Sequence, residues 1–281
     1  RRMTKLLLDD LAFPEGPRWH EERLWFSDMH SQRVLAVDAS GRSETICEVP
    51  GDPSGLGWLP DGRLLVVSMR DRRLLCLESS GLTLVADLSE MASCHCNDMV
   101  VDSEGNAFVG NFGYDLHEAG STPRNAELIR IAPDGKARVV ARELAFPNGT
   151  VITPDGGTLI VAESMGGRLT AFDLAEDGSL DNRRDWALVP GIVPDGICLD
   201  AEGAIWVASP VSATVFRVHE GGEISDRIPV SSQPFACMLG GSERRTLFIA
   251  TAASSQPDEC KAQRTGRIEY VEVDVPGAGL P

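Results

Sequence analysis

The strongest constraint on this 281-residue chain is an internal repeat. Four segments, residues 57–67, 100–109, 151–161 and 197–207, share one pattern: an apolar run, a tight turn with glycine after an acidic residue, and a second apolar run. Glycine supplies the positive φ that such hairpin turns need. Degenerate copies stand at residues 17–26 and 237–249, which makes six. Aligning the six gives one position just before each hairpin: Glu15, Ser54, Asn97, Asn148, Asp195 and Phe235. The spacings are 39, 43, 51, 47 and 40 residues, averaging 44. A third β-like run follows the hairpins, as at residues 72–78, 128–132, 168–174 and 214–218, and often a fourth, as at 82–88 and 137–143. Four antiparallel strands in ~40–50 residues are the signature of a propeller blade. The expected fold is therefore all-β, a six-bladed β-propeller. The last copy has room for three strands only. Residues 4–8 would supply its outer strand and close the ring, removing the exposed sheet edges of an open one. Six units use up the length, so residues 1–281 are expected to form a single domain. Arg1 and Arg2 precede Met3 and are set aside as residues left by cloning or processing.

Composition narrows the function classes. Apolar residues make up 42% of the chain, enough for a substantial core, and the 28 glycines and 17 prolines argue against a helical bundle. No apolar run approaches the ~20 residues of a membrane span, and the N-terminus carries no apolar signal region. The net charge is −16, from 42 acidic and 26 basic residues. Such a field repels phosphate backbones, so neither nucleic acid nor a membrane is expected as partner. The seven cysteines are an odd number, and several lie inside apolar runs. They read as buried thiols of a cytoplasmic, reducing setting.

The aligned position carries the chemistry. In a propeller, equivalent positions of successive blades form a ring about the central axis. This one begins each innermost strand, so its six side chains are expected at one mouth of the channel. Proline precedes it in five blades and glycine follows it in four. Proline favours extended geometry in its neighbour, and glycine relieves crowding near the axis. Glu15, Asn97, Asn148 and Asp195 are all oxygen donors. Asn and Asp before Gly also make turns. Four of them in one register, on four blades, point instead to a hard divalent cation between converging carboxylates and amide carbonyls. Cys94-His95-Cys96 has the wrong spacing for two thiolates on one zinc ion. Trp25 and Trp206, at matched strand positions, read as packing between blades.

The segments Phe13-Pro14-Glu15-Gly16-Pro17, Cys96-Asn97-Asp98, Phe146-Pro147-Asn148-Gly149 and Pro194-Asp195-Gly196 resemble the SMP-30/gluconolactonase/luciferin-regenerating-enzyme family. The resemblance implies a six-bladed propeller with one divalent cation at the channel mouth, and hydrolysis of a lactone as small-molecule substrate. By motif it makes Glu15, Asn148 and Asp195 the metal ligands. Asn97 becomes a substrate contact or fourth ligand, and Asp195 also the catalytic acid/base. Ca²⁺ is the first candidate, with Zn²⁺, Mn²⁺, Mg²⁺ and Fe²⁺ as others. Many sugar-lactonase members have Arg-x-Asn-Asp where this chain has His95-Cys96-Asn97-Asp98. An imidazole thus replaces a guanidinium fork, which weakens the expectation of a polyol. The same site could instead act on an aromatic or apolar lactone or a phosphotriester, or hold a metal without catalysis. If the second-to-third connections lie at the mouth, His95, Asn111 and Arg70 are expected to contact substrate, with Met69, Tyr114 and Met165 nearby.

Overall fold

Each sequence repeat folds into a four-stranded antiparallel sheet whose strands follow chain order from the axis outward, in a computed structural model that describes residues 2–280. Strand β1 (Lys5–Leu11) belongs to the last blade. Blade I is β2 (Pro14–His20), β3 (Arg23–Asp28), β4 (Arg33–Val37) and β5 (Ser43–Glu48). Blade II is β6 (Pro53–Trp58), β7 (Leu64–Ser68), β8 (Arg73–Glu78) and β9 (Gly81–Asp87). Blade III is β10 (Cys96–Val101), β11 (Ala107–Asn111), β12 (Ala126–Ile131) and β13 (Ala137–Leu144). Blade IV is β14 (Pro147–Ile152), β15 (Thr158–Glu163), β16 (Arg168–Leu174) and β17 (Leu180–Leu188). Blade V is β18 (Ile197–Leu199), β19 (Ile205–Ser209), β20 (Thr214–Val218) and β21 (Ile224–Pro229). Blade VI is β22 (Gln233–Gly240), β23 (Thr246–Ala252), β24 (Gly266–Glu272) and β1.

The ring closes twice over. Each innermost strand touches the next, from β2 through β6, β10, β14 and β18 to β22, which returns to β2. At the rim, β1 pairs antiparallel with β24, Lys5 opposite Tyr270 and Leu11 opposite Gly266. The fold is the six-bladed propeller expected, with the expected N-terminal closing strand. The core lies between blades. Leu24, Phe26, Trp206, Leu239 and Ile249 form one buried cluster across blades V, VI and I. Trp25 packs edge-on against Trp58 of the next blade, with ring centroids 5.4 Å apart.

One feature of the backbone recurs at the axis. The first and second strands slip register between Glu15 and Arg18, Pro53 and Leu56, Cys96 and Met99, Pro147 and Thr150, and Pro234 and Ala236. In blade V the regular pairing starts only at Ile197. A bulge bends its strand and re-aims the side chain it carries. Here it sits at the aligned ring position each time. The glycine that follows is needed for close approach: a Cβ on Gly149 would lie 2.5 Å from Ile197 N and 2.7 Å from Asp195 O.

Two local features differ from the sequence reading. The connection between β23 and β24, for which the repeat predicts no helix, contains α1 (Pro257–Gln263). Gln256 caps it by accepting from Glu259 N, with Pro257 fixing the first turn. Blade V contributes a first strand of only three residues. All seven cysteines are free thiols. Among the described residues no helix is long and apolar enough to cross a membrane.

Gly55→Ala would place a Cβ 2.7 Å from Met99 Cβ and 2.9 Å from the Asp98 carbonyl carbon, against backbone of the next blade. Overpacking of this kind costs about 1–3 kcal/mol. A lowered urea midpoint with an unchanged slope is the expected result.

Candidate metal centre

Bulges carry Glu15 of blade I, Asn97 of blade III and Asn148 of blade IV to one end of the channel, and Asp195 joins them from the segment just before the short first strand of blade V. Backbone bonds tie these segments across blades. Gly149 N donates to Asp195 O at 3.1 Å, and Gly196 N donates to Phe235 O at 2.8 Å. Glu15 Oε2 accepts from the amide of Gly16 at 2.9 Å.

Neighbours fix which end of each amide faces the channel. Asn97 Nδ2 donates to Pro147 O at 3.2 Å, and a carbonyl can only accept. The oxygen of Asn97 therefore turns the other way, toward the Ser54 hydroxyl at 3.5 Å. Ser164 Oγ gives its proton to Pro194 O at 2.6 Å, so it accepts from Asn148 Nδ2 at 3.3 Å. That leaves Asn148 Oδ1 buried without a partner, and Asp195 Oδ1 is buried without one as well. Two orphaned acceptors side by side in a protein interior are costly. Neither can satisfy the other, and a hard cation between them would satisfy both. Among the described residues no three His, Cys, Asp or Glu side chains gather as a metal-holding group. The donor set here is instead two carboxylates with amide oxygens, which suits Ca²⁺ or Mg²⁺ better than a soft metal.

The electrostatics point the same way. Burial pushes the Glu15 carboxyl well above its usual range, and the charges of Asp195 and Asp98 push it further, while the Gly16 amide and Arg18 oppose them. Burial likewise raises Asp195, with Asp98 adding to it, while the neighbouring Glu15, Gly196 amide and Asn148 work in the opposite direction. Arg18 lies one layer further down the channel. Its Nη2 donates to Asp98 Oδ1 at 2.7 Å and Met99 O at 2.8 Å, and its Nη1 donates to Pro17 O at 2.9 Å. Three carboxylates against one guanidinium leave two negative charges when all are ionised, the complement of one divalent ion. Beneath Arg18, a cavity of about 20 Å³ is lined by Thr150, Cys198, Met238 and the C-terminal Ala278 and Leu280. It has room for about one water molecule. A larger cavity of about 210 Å³ lies away from the donors, between blades II and III, lined by Leu59, Leu65, Cys76 and Ile131.

The remaining expected contacts divide. His95 is half-buried, its pKa lowered by that burial, and its ring meets Phe112 edge-on at 6.2 Å. Arg70 is exposed at the rim, within 3.4 Å of Asp52 Oδ1 and 3.2 Å of Pro50 O. Asn111 is a correction. It is fully buried, its Nδ2 donates to Glu127 O and Oε1, both at 3.1 Å, and its Oδ1 accepts from Gly113 N. Both amide hydrogens are thus spent inside the protein, and the buried side chain holds the loop after β11. Met69 is buried in an apolar cluster with Phe13, Met29, Phe235 and Cys260, while Met165 is exposed. Tyr114 packs edge-on against Phe146 at 6.0 Å. Sequence reasoning missed Arg18, Asp98 and the aromatic residues Phe13 and Phe146. The Phe-Pro pair repeated before Glu15 and before Asn148 was a visible signal for the last two.

A six-bladed propeller with carboxylates and amides gathered at one channel mouth is the class that fold and site define. Within that class, residues 13–253 match the family described as SMP-30/Gluconolactonase/LRE-like region, and the chain belongs to it. It is 25% identical over 276 residues to a 6-deoxy-6-sulfogluconolactonase of Pseudomonas putida, covering 95% of this chain and 93% of that protein. In fold it is similar to a calcium-binding regucalcin of Agrobacterium tumefaciens, with TM-score 0.82, 22% identity, and coverage of 100% and 97% of the two chains. It is also similar to a gluconolactonase of Xanthomonas campestris, with TM-score 0.74, 24% identity, and coverage of 96% and 89%.

Two outcomes follow from the electrostatics. Glu15 and Asp195 have native pKa values raised above those of the unfolded chain, so the native state binds more protons. Stability of chelator-treated protein must then fall as pH rises from the unfolded values, about 4, through the raised native ones. Melting temperature in chelator is expected to drop as pH rises above the unfolded values, and added Ca²⁺ to raise it more at the higher pH. Separately, Arg18→Met strands Asp98 in the channel and should cost about 3–5 kcal/mol in denaturant unfolding, most of it recovered by adding Asp98→Asn.

Proposed function

We propose that this chain is a lactonase that depends on one divalent cation, Ca²⁺ first among the candidates, held by Glu15, Asn148 and Asp195. The observation that carries the reading is the pair of orphaned buried oxygens, Asn148 Oδ1 and Asp195 Oδ1, beside a second buried carboxylate. Membership of the family and similarity to named gluconolactonases support a cyclic ester as substrate. Similarity to a calcium-binding regucalcin supports the choice of ion.

When bound, the cation supplies Lewis-acid polarisation of the lactone carbonyl and stabilises the developing oxyanion. Asp195 takes a proton from the attacking water as its oxygen bonds to the carbonyl carbon. As the ring C–O bond breaks, Asp195 returns that proton to the departing ring oxygen, and the product is the open hydroxy acid. Burial and Asp98 raise the basicity of Asp195, which counters the lowering by a nearby cation. Ser164 keeps the Asn148 oxygen turned into the site through the hydrogen bond to Nδ2. Asn97 and His95 line the substrate side, and Arg70 stands at the rim. The closed channel floor confines water to the side from which substrate enters. The six blades act as one domain, and the seven free thiols fit a cytoplasmic setting.

Asp195→Ala and Asn148→Ala test this. Asp195→Ala removes one of two mutually repelling buried carboxylates, so the fold is expected to persist in either variant. Ring opening followed by pH-stat should fall by at least about 10²-fold in each. The unaltered protein should lose activity in chelator and regain it with Ca²⁺. Full activity in either variant overturns the reading.

A further inference from the structure

The oxygen donors are joined to one another by hydrogen bonds made beside them. Gly149 N, next to Asn148, donates to the carbonyl of Asp195 at 3.1 Å. Asn97 Nδ2 donates at 3.2 Å to Pro147 O, just before Asn148. From blade III the series reaches blade I through Arg18, and there it changes character. The guanidinium is clamped at both ends. Its Nη1 donates to Pro17 O, two residues after Glu15, at 2.9 Å. Its Nη2 donates to Asp98 Oδ1 at 2.7 Å and to Met99 O at 2.8 Å. Asp98 Oδ1 also accepts from Met99 N at 2.8 Å, which fixes the carboxylate in turn. Both side chains are buried, Arg18 at 6% exposure and Asp98 at 3%.

Blades I and III are not neighbours, so this link skips a blade. A second route runs through blade II, from Ser27 Oγ to Ser54 O at 2.6 Å and from Ser54 Oγ to Asn97 Oδ1 at 3.5 Å. That route is neutral and long at its second step. The Arg18 link is charge-assisted, made by a planar fork, and therefore the stiffer of the two. It is a strut between the strand that carries Glu15 and the strand that carries Asn97. A strut limits how far the donors can close. Mg²⁺ takes oxygens at about 2.0–2.1 Å in strict octahedral geometry, and Ca²⁺ at about 2.3–2.6 Å in a tolerant one. Closing on Mg²⁺ asks each donor to move inward by about 0.3–0.5 Å more than closing on Ca²⁺. For Glu15 that motion presses blade I toward blade III, against a guanidinium already in contact with both.

We propose that Arg18, paired with Asp98, is a positioning residue that selects Ca²⁺ over Mg²⁺ by holding Glu15 apart from the donors of blades III to V. This rests on the reading of Glu15, Asn148 and Asp195 as metal ligands and adds what sets their span. Two variants separate span from charge. Asp98→Asn keeps an oxygen for Arg18 and the Met99 amide, so the strut stays while one negative charge goes. Arg18→Met with Asp98→Asn removes the strut and leaves the net charge unchanged. Dissociation constants of the full chain are measured by titration calorimetry, directly for Ca²⁺ and by competition with Ca²⁺ for Mg²⁺. The ratio of the Mg²⁺ to the Ca²⁺ constant is expected to fall at least about tenfold in the double variant, the scale on which groups that orient metal ligands act. In Asp98→Asn both ions should bind more weakly with that ratio kept. Arg18→Lys, which keeps the charge and loses the fork, should lower the ratio by a smaller factor, and it carries the test if the double variant does not fold. An unchanged ratio in the double variant, or an equal fall in Asp98→Asn, overturns the strut and leaves the metal reading standing. If the unaltered protein binds neither ion, the metal reading falls and this inference with it.

Discussion

Six first strands crowd one axis, and the backbone must come within touching distance of its neighbour at every step round the ring. A side chain on Gly149 or Gly196 would run into the backbone of the following blade. The bulge beside each glycine solves two problems at once. It lets the strands approach, and it swings the preceding side chain away from the inter-blade core and into the channel. The same local distortion that closes the ring therefore gathers Glu15, Asn97, Asn148 and Asp195 at one mouth. Site and scaffold are not separable here, since the chemistry occupies the position that the packing leaves free.

Gathering acceptors in this way has an electrostatic consequence. Two carboxylates and an orphaned amide oxygen share a dry site, with Asp98 adding further negative field from below. Arg18 offsets part of that field and fills the channel beneath it. Remaining attraction is directed upward, toward whatever cation or polarised group enters the mouth. Apolar side chains pack around the ring: Phe13, Met29, Met69 and the ring residue Phe235 in one buried cluster, and Phe146 stacked on Phe112.

Much of this was legible in the residues. The blade count and the donor register follow from acidic-Gly turns and from Pro-x-Gly around the aligned position, because both are local backbone requirements, each present in four of the six repeats. What escaped reading depends on contacts distant in sequence. Arg18 and Asp98 sit on strands 80 residues apart and meet only across the axis. A charged residue in a strand normally signals a solvent-facing side, and nothing local says that side is a channel. Asn111 ends its strand at the mouth, as expected, but its partner Glu127 lies across the sheet and takes up its amide. Helix α1 is seven residues long, too short for an apolar period to show, and only the Gln256-Pro257 start marked it.

The pairing of Lys5 with Tyr270 has a kinetic side. Blades I to V are built from consecutive stretches of chain and can form by local pairing. Blade VI cannot, because its outer strand is separated from its other three by the rest of the ring. Contacts of such sequence separation carry a large loop-closure entropy and tend to form late. Folding of this protein is thus expected to end with a single zippering step. Until that step, the outer edge of β24 would stand unpaired at the rim of the last blade.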